Sequence, residues 1–296
     1  MLVEYPARID RAGVVMVTLL KRTTMFFGRS RDMKTIRVGR RQISLVGPSE
    51  TDHYFSALSH GADDVFDHLC ERFLRPDSVA LDIGANIGVT SAILSQHLSE
   101  GYIFAFEPGA SIFRALQTNI ETNRLTNVKA FNMAVAETSG AVLFSENSAY
   151  GSISKSGTET RSTSVDDIAA DLKRLDFIKI DVEGFEKNVL LGAKETISKF
   201  NPVIYMEYNP WCQLVNSRTS PFEFAEWILD NFKYLFAVIP GEAPRLKEYP
   251  KQSAGQILYD NIVTGTTGVD DFIITNNDAA ANVCRSLVDM ATATSS

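Results

Sequence analysis

The sequence predicts a doubly wound α/β fold, a parallel sheet with helices on both faces. Three observations predict it. From Val79 onward, short apolar runs alternate with stretches of helical spacing. The first run passes through Asp82-Ile83-Gly84-Ala85-Asn86-Ile87-Gly88, a glycine turn between a strand and a helix start. Polar residues recur where the apolar runs end, on the rim where an open parallel sheet binds ligands.

Taken in order, residues 1–60 read as a basic extension of short strands and turns, among them Thr35-Ile36-Arg37-Val38 and Gln42-Ile43-Ser44-Leu45-Val46. Residues 63–74 place Val65, Phe66, Leu69, Cys70, Phe73 and Leu74 at helical spacing, closed by Pro76. The core unit is expected over 61–277. Its first strand is 79–83, with a helix at 88–98. The second strand is 102–106, ending in Glu107-Pro108, with a helix near 110–123. The third is 128–131, and 141–144 reads as an extra strand. Residues 145–164 are rich in Ser, Thr and Gly and read as a surface loop. The fourth strand is 177–181, followed by one helix over 186–200, and the fifth is 203–207. Pro221 opens a helix reaching residue 231. Strands six and seven are 234–239 and 271–275, separated by an insertion at 240–269. Residues 278–296 read as a helix, to about residue 290, and a polar tail.

Composition narrows the function classes. The net charge is −7, but residues 1–46 carry ten Lys and Arg against three acids, so the remainder stands at −14. An acidic core argues against a nucleic-acid substrate, whose backbone it would repel. The apolar run at 12–20 is too short to span a bilayer, which needs about 20 residues, and acids precede it, so a secretory signal is not expected. Weak peripheral contact with a membrane stays open to the basic arm. Three distant cysteines and four scattered histidines form no ligand spacing. No disulfide framework or structural zinc is expected, and a cytoplasmic location is the default.

The glycine turn points to a cofactor. Asp82-x-Gly84-x-x-x-Gly88 lacks the second glycine that lets a pyrophosphate reach a helix N-terminus, and Asn86 stands in its place. The acid at the strand end rejects phosphate and welcomes a cation or a hydroxyl. That combination suits S-adenosylmethionine, a nucleoside with a positive, phosphate-free tail. Glu107, 19 residues after Gly88, can accept both ribose hydroxyls. Asn132, Asp181 and Glu207 follow or end strands three, four and five. Lys179 and Asp181 alternate onto one face of strand four, and a lysine inside a central strand is costly unless paired or sited.

Four segments, Asp82–Gly88, Phe106-Glu107-Pro108, Asn132-Met133-Ala134 and the block Ile178-Lys179-Ile180-Asp181-Val182-Glu183-Gly184-Phe185-Glu186, resemble the FkbM family of S-adenosylmethionine-dependent methyltransferases in matching order. Gly192-Ala193, Glu207 and Thr163-Ser164-Val165-Asp166 extend the resemblance across residues 78–210. It implies a class I methyltransferase (Rossmann-like) sheet of seven strands, the last antiparallel. It also implies O-methylation of a hydroxyl on a sugar, glycan or polyketide-type metabolite. By position, Asp82, Gly84, Ala85, Asn86 and Gly88 would hold the methionine part of the cofactor and Glu107 the ribose. Asn132, Met133 and Ala134 would flank the adenine, with Pro108 and Ser152 further cofactor contacts; Met133 also reads as core filler. Asp181 would approach the sulfonium and the amine. The proton acceptor would be Asp181, Glu183 or Glu207, with Lys179 tuning it or orienting the acceptor. Tyr150, Tyr208 and Trp211 offer rings for stacking. No metal site is assigned, although Asp181, Glu207 and Asn209 carry oxygen ligands of the kind Mg²⁺ takes. Two other readings compete: a nucleotide-sugar oxidoreductase, disfavoured by the missing glycine, and a cofactor-binding scaffold without turnover, disfavoured by the intact set of acids.

Overall fold

The computed structural model describes residues 33–49, 52–58, 63–146, 151–239, 243–265 and 270–288, with Gly241 and Gly268. Most of the basic arm, the apolar run at 12–20, Tyr150 and the polar tail lie outside the described residues.

A hairpin of β1 (Met33–Val38) and β2 (Arg41–Val46) precedes the short helix α1 (His53–Ala57) and α2 (Asp64–Phe73). The α/β alternation then follows: β3 (Val79–Ile83), α3 (Val89–His97), β4 (Tyr102–Phe106), α4 (Ala110–Thr122) and β5 (Val128–Phe131). Next come β6 (Ala134–Val135), β7 (Gly140–Ser145), β8 (Ser152–Ile153), β9 (Thr158–Thr163) and α5 (Val165–Ala169). The second half holds β10 (Phe177–Ile180), α6 (Glu186–Leu191), α7 (Lys194–Phe200), β11 (Val203–Tyr208), α8 (Pro210–Cys212), α9 (Pro221–Asn231), β12 (Tyr234–Ile239), β13 (Arg245–Tyr249), α10 (Ala254–Leu258), β14 (Asp270–Thr275) and α11 (Asp278–Arg285). Helices α8 and α10 each run on into a π-helical turn, Gln213–Ser217 and Tyr259–Thr264.

The main sheet has the order β13-β12-β14-β11-β10-β3-β4-β5. Strands β5, β4, β3, β10 and β11 are parallel, and β14 inserts antiparallel between β11 and β12. These seven are the expected sheet. The eighth, β13, comes from the 240–269 insertion and pairs on the β12 edge. The chain order reverses between β3 and β10, which opens a crevice above their carboxyl ends.

Alternation of side chains explains the two-sided core. Ala80, Phe177, Val203, Tyr205 and Ile273 face α2, α3, α4 and α11, where Leu69, Leu94, Ala115 and Cys284 are buried. Leu81, Ile178, Ile204, Phe272 and Ile274 face α5, α6 and α9, against Val165, Leu190, Phe224 and Ile228. Each fully buried Leu, Ile or Phe contributes about 1.5–3 kcal/mol of transfer free energy. The hairpin joins the first of these layers through Ile36, Val38, Ile43 and Leu45. Asn119 anchors it, accepting from Val46 N–H and donating to Val46 O and Ile87 O.

Three expectations are corrected. The stretch 145–164 is not one loop: β8 and β9 pair with β7 in a second, four-stranded sheet of order β6-β9-β7-β8. β9 is polar and exposed along its first half, so its backbone pairing leaves no hydropathy signal. The helix expected over 186–200 divides at Gly192-Ala193. A Cβ on Gly192 would stand 2.5 Å from Ala136 O, so the chain passes too close to its neighbour to hold a continuous helix of larger residues. The last helix stops at Arg285, short of the expected residue 290. Among the described residues no helix is long and apolar enough to cross a membrane.

Candidate functional site

A cavity of about 370 Å³ opens over the carboxyl ends of β3, β4, β10 and β11. Its floor is set by an alternation that places Asp82, Lys179, Asp181, Tyr205, Glu207 and Asp271 on the same face of the sheet. Lys179 is in register with Asp82 on one side and Tyr205 on the other, and Glu207 is in register with Asp271.

The glycine turn forms one wall. Gly84 has φ +80°, and a Cβ there would lie 1.7 Å from Asp181 O, so no other residue fits. Gly84 and Ala85 both donate N–H to Phe106 O, which ties the turn to β4. Asn86 takes a left-handed φ of 49°, a conformation asparagine tolerates, with its own Oδ1 accepting from Ile87 N–H. Its N–H donates to Glu107 Oε2 at 3.0 Å, while Gly109 N–H donates to Oε1 at 2.8 Å. Glu107 is 5% exposed. Burial pushes its carboxyl up to about 7, against the pull of those two N–H donors.

Lys179 holds the floor together. Its ammonium donates to Gly84 O and Asp181 Oδ2, each at 3.2 Å, and lies 3.8 Å from Asp82 Oδ1. Burial works against its charge, but Asp181 and Asp82 outweigh burial and raise the ammonium above its ordinary value. A cation so engaged is committed to structure.

The far end is crowded with acids. Glu183 sits at a left-handed φ of 54° before Gly184 at 97°. The side chain of Glu186 completes this turn, its Oε1 accepting from Val182 and Gly184 N–H. Glu183 Oε2 accepts from Cys212 Sγ at 3.1 Å, and Asn216 donates to Glu183 O. Burial, then the Asp181 charge, push the Glu183 carboxyl up to about 7. Glu207 is pushed to about 10 by burial and by Asp181, Glu183, Glu186 and Asp271, and its Oε2 is enclosed with no hydrogen-bond partner. Asp271 rises to about 7, chiefly by burial, with the neighbouring Tyr205 pulling the other way.

Of the residues singled out from sequence, Gly84, Ala85, Asn86, Glu107, Pro108, Met133, Ala134, Lys179, Asp181, Glu183 and Glu207 line this one cavity. Asp82, Gly88, Asn132 and Ser152 do not. Asp82 is fully buried behind the turn, accepting from Thr90 and Ser91 hydroxyls. Gly88 is the left-handed N-cap of α3. Asn132 donates to Glu107 O and Pro108 O, fixing that corner from outside. Ser152 pairs with Ser145 in the second sheet. Asn209 caps α8, accepting from Cys212 N–H. Among the described residues no three His, Cys, Asp or Glu side chains gather to hold a metal. Tyr208 is buried with its hydroxyl on Pro221 O, and Trp211 is 57% exposed; neither lines the cavity.

Sequence reasoning missed Asp271, Tyr205, Tyr54 and Asp63, all of which line the cavity. For Asp271 the signal was available. An antiparallel last strand brings its beginning, not its end, to the carboxyl rim. Tyr54 and Asp63 arrive from before the core and carry no such signal.

The family model of the methyltransferase FkbM domain matches residues 82–234, just over half of the 296 residues. The chain belongs to the FkbM methyltransferase family. Two relatives of this FkbM chain are the 2-O-methyltransferase NoeI of Sinorhizobium fredii, 28% identical over 160 residues, and the hexuronic acid methyltransferase AglP of Haloferax volcanii, 31% identical over 151 residues. The matches cover 46% and 49% of this chain, and 65% and 61% of the two relatives. A solved FkbM methyltransferase from Methylobacillus flagellatus aligns at 20% identity with a TM-score of 0.43, over 60% of this chain and 44% of that one. The matched span contains the glycine turn, Glu107 and the Lys179–Glu186 block, and stops short of Asp271.

Proposed function

We propose that this FkbM chain is an S-adenosylmethionine-dependent O-methyltransferase acting on a hydroxyl of a sugar, glycan or polyketide-type metabolite. One observation carries the reading: a single cavity joins the Glu107 carboxylate and its glycine turn at one end to the Asp181–Glu183 acids at the other.

The lining fits the cofactor. Backbone of Gly84, Ala85 and Asn86 would hold the methionine portion, and Asp181, 39% exposed at its side chain, the amine. Each Glu107 oxygen already takes one N–H and keeps a lone pair for a ribose hydroxyl. Pro108, Met133 and Ala134, with Ile112 and Phe144, supply an apolar slot for adenine. Asp82, Gly88, Asn132 and Ser152 position this lining from behind. When bound, the cofactor supplies an electrophilic methyl on a sulfonium.

The chain's own task is to hold an acceptor hydroxyl and remove its proton. Glu183 is the base best suited: it lines the cavity, and its carboxyl is poised near neutrality. Glu207 holds its proton at neutral pH and serves as a hydrogen-bond donor. Lys179 positions Asp181 and Gly84. Fixed geometry of this kind contributes as much as about 7–11 kcal/mol toward a bimolecular transfer. The test is incubation with S-adenosylmethionine and a panel of glycosides and small metabolites, read by mass. A gain of one methyl supports the reading; no binding of S-adenosylhomocysteine to the folded chain ends it.

A further inference from the structure

The lining residues of the cavity include six acids, Asp63, Glu107, Asp181, Glu183, Glu207 and Asp271, and one basic residue, Lys179. Lys179 is spent on Asp181, Asp82 and Gly84 O. The proposed cofactor site uses Glu107 and Asp181. Asp63, Glu183, Glu207 and Asp271 remain, the last three at the acceptor end, with no described cation of the lining free to balance them.

Two of these acids are opposed in a way that packing would not choose. Glu207 and Asp271 are direct cross-strand partners, so the two cannot both be charged without repulsion across the sheet. Glu207 also keeps an enclosed oxygen with no partner, a state that buried polar groups rarely sustain without a ligand or a function.

Resting on the function proposed above, we infer that Glu207 and Asp271 select the acceptor by charge: the cavity takes a hydroxyl-bearing group that is neutral or carries a protonated amine, and rejects carboxylated and phosphorylated ones. A neutral ring finds acceptors for its hydroxyl protons at Asp271 and Glu183 and a donor at Glu207. An ammonium gains the negative potential of Asp271 and Glu183, and Glu207 can give up its proton to pair with it. A carboxylate would meet the same potential with no free cation of the described lining to pair with it.

The test uses the full chain and calorimetry with two probes. One is S-adenosylhomocysteine. The other is the analogue in which an amine-bearing carbon replaces the methylated sulfur, so that an ammonium projects where the methyl would leave. The analogue is expected to bind at least tenfold tighter, and the Glu207→Gln/Asp271→Asn double variant to lose most of that ratio. Methyl transfer is then compared on a hexoside, the matching hexosaminide and the matching hexuronide, with the hexuronide expected at least tenfold slower. Failure of S-adenosylhomocysteine to bind the wild-type chain would remove the proposed function itself. Tight S-adenosylhomocysteine binding with no preference for the amine analogue, a preference that survives in the double variant, or a hexuronide methylated as fast as the hexoside would each overturn the inference alone. If none of the three sugars is methylated, the calorimetric ratio decides.

Discussion

Asp271 stands directly across from Glu207 in the antiparallel register of β14 and β11, two carboxylates facing each other at the rim of one cavity. This pairing shapes how the protein responds to pH. In the unfolded chain both groups titrate near 4; in the folded chain burial raises Asp271 to about 7 and Glu207 to about 10. Between those limits the native state binds more protons than the unfolded state, so stability falls as pH rises. The ligand-free protein should melt at a higher temperature at pH 5.5 than at pH 8.5. Glu207→Gln should flatten that slope and raise the melting temperature at pH 8.5 by a few degrees, since about 1 kcal/mol corresponds to roughly 2–4 °C in a chain of this size. Scanning calorimetry at the two pH values checks both statements.

Lys179 predicts the opposite kind of cost. Lys179→Met leaves Asp82 buried without its counter-ion and frees the Gly84 carbonyl. Removing one partner of a buried pair costs about 3–5 kcal/mol. The denaturation midpoint of this variant should fall accordingly.

Glu107→Ala should weaken S-adenosylhomocysteine binding by roughly 10- to 100-fold, the range for hydrogen bonds to a charged group. Because burial raises this carboxyl to about 7, its charged form gains population as pH rises through neutrality. Wild-type affinity should therefore strengthen between pH 6 and pH 8, and that increment should vanish in the variant. Titration calorimetry reads both.

Glu183 sets the expected rate profile. As the proton acceptor it works deprotonated, so turnover should rise with pH through about 7. Glu183→Gln should lower kcat by about 10²–10⁴ and abolish that limb, with a smaller effect on cofactor affinity. Steady-state rates across pH 5.5–9 on any accepted substrate decide the matter; an unchanged limb would move the role to another acid.

Gly84→Ala tests the backbone itself. The added Cβ meets Asp181 O at 1.7 Å, a backbone atom that cannot swing aside. The variant should either fail to fold or fold with S-adenosylhomocysteine binding lost; native stability together with native affinity would refute the close approach of β3 and β10 at this turn.

The α/β alternation, the limits of most core strands, the glycine turn and the strand-end acids were legible in the sequence because each is a local pattern. Period-two and helical spacing show which faces are apolar, and a glycine or an acid at a run's end stands out against them. Polar β9 was invisible for the converse reason: its strand character comes from backbone pairing with β7, and exposed side chains carry no trace of it. Only the tertiary structure decided which acids act together. It sent Asp82 behind the wall, tied Lys179 to Gly84 and Asp181, and brought Asp271 to face Glu207 across 64 residues of chain. Burial and charge repulsion depend on what surrounds a carboxylate in space. A linear order of residues names the carboxylates; the fold determines which of them keep their protons.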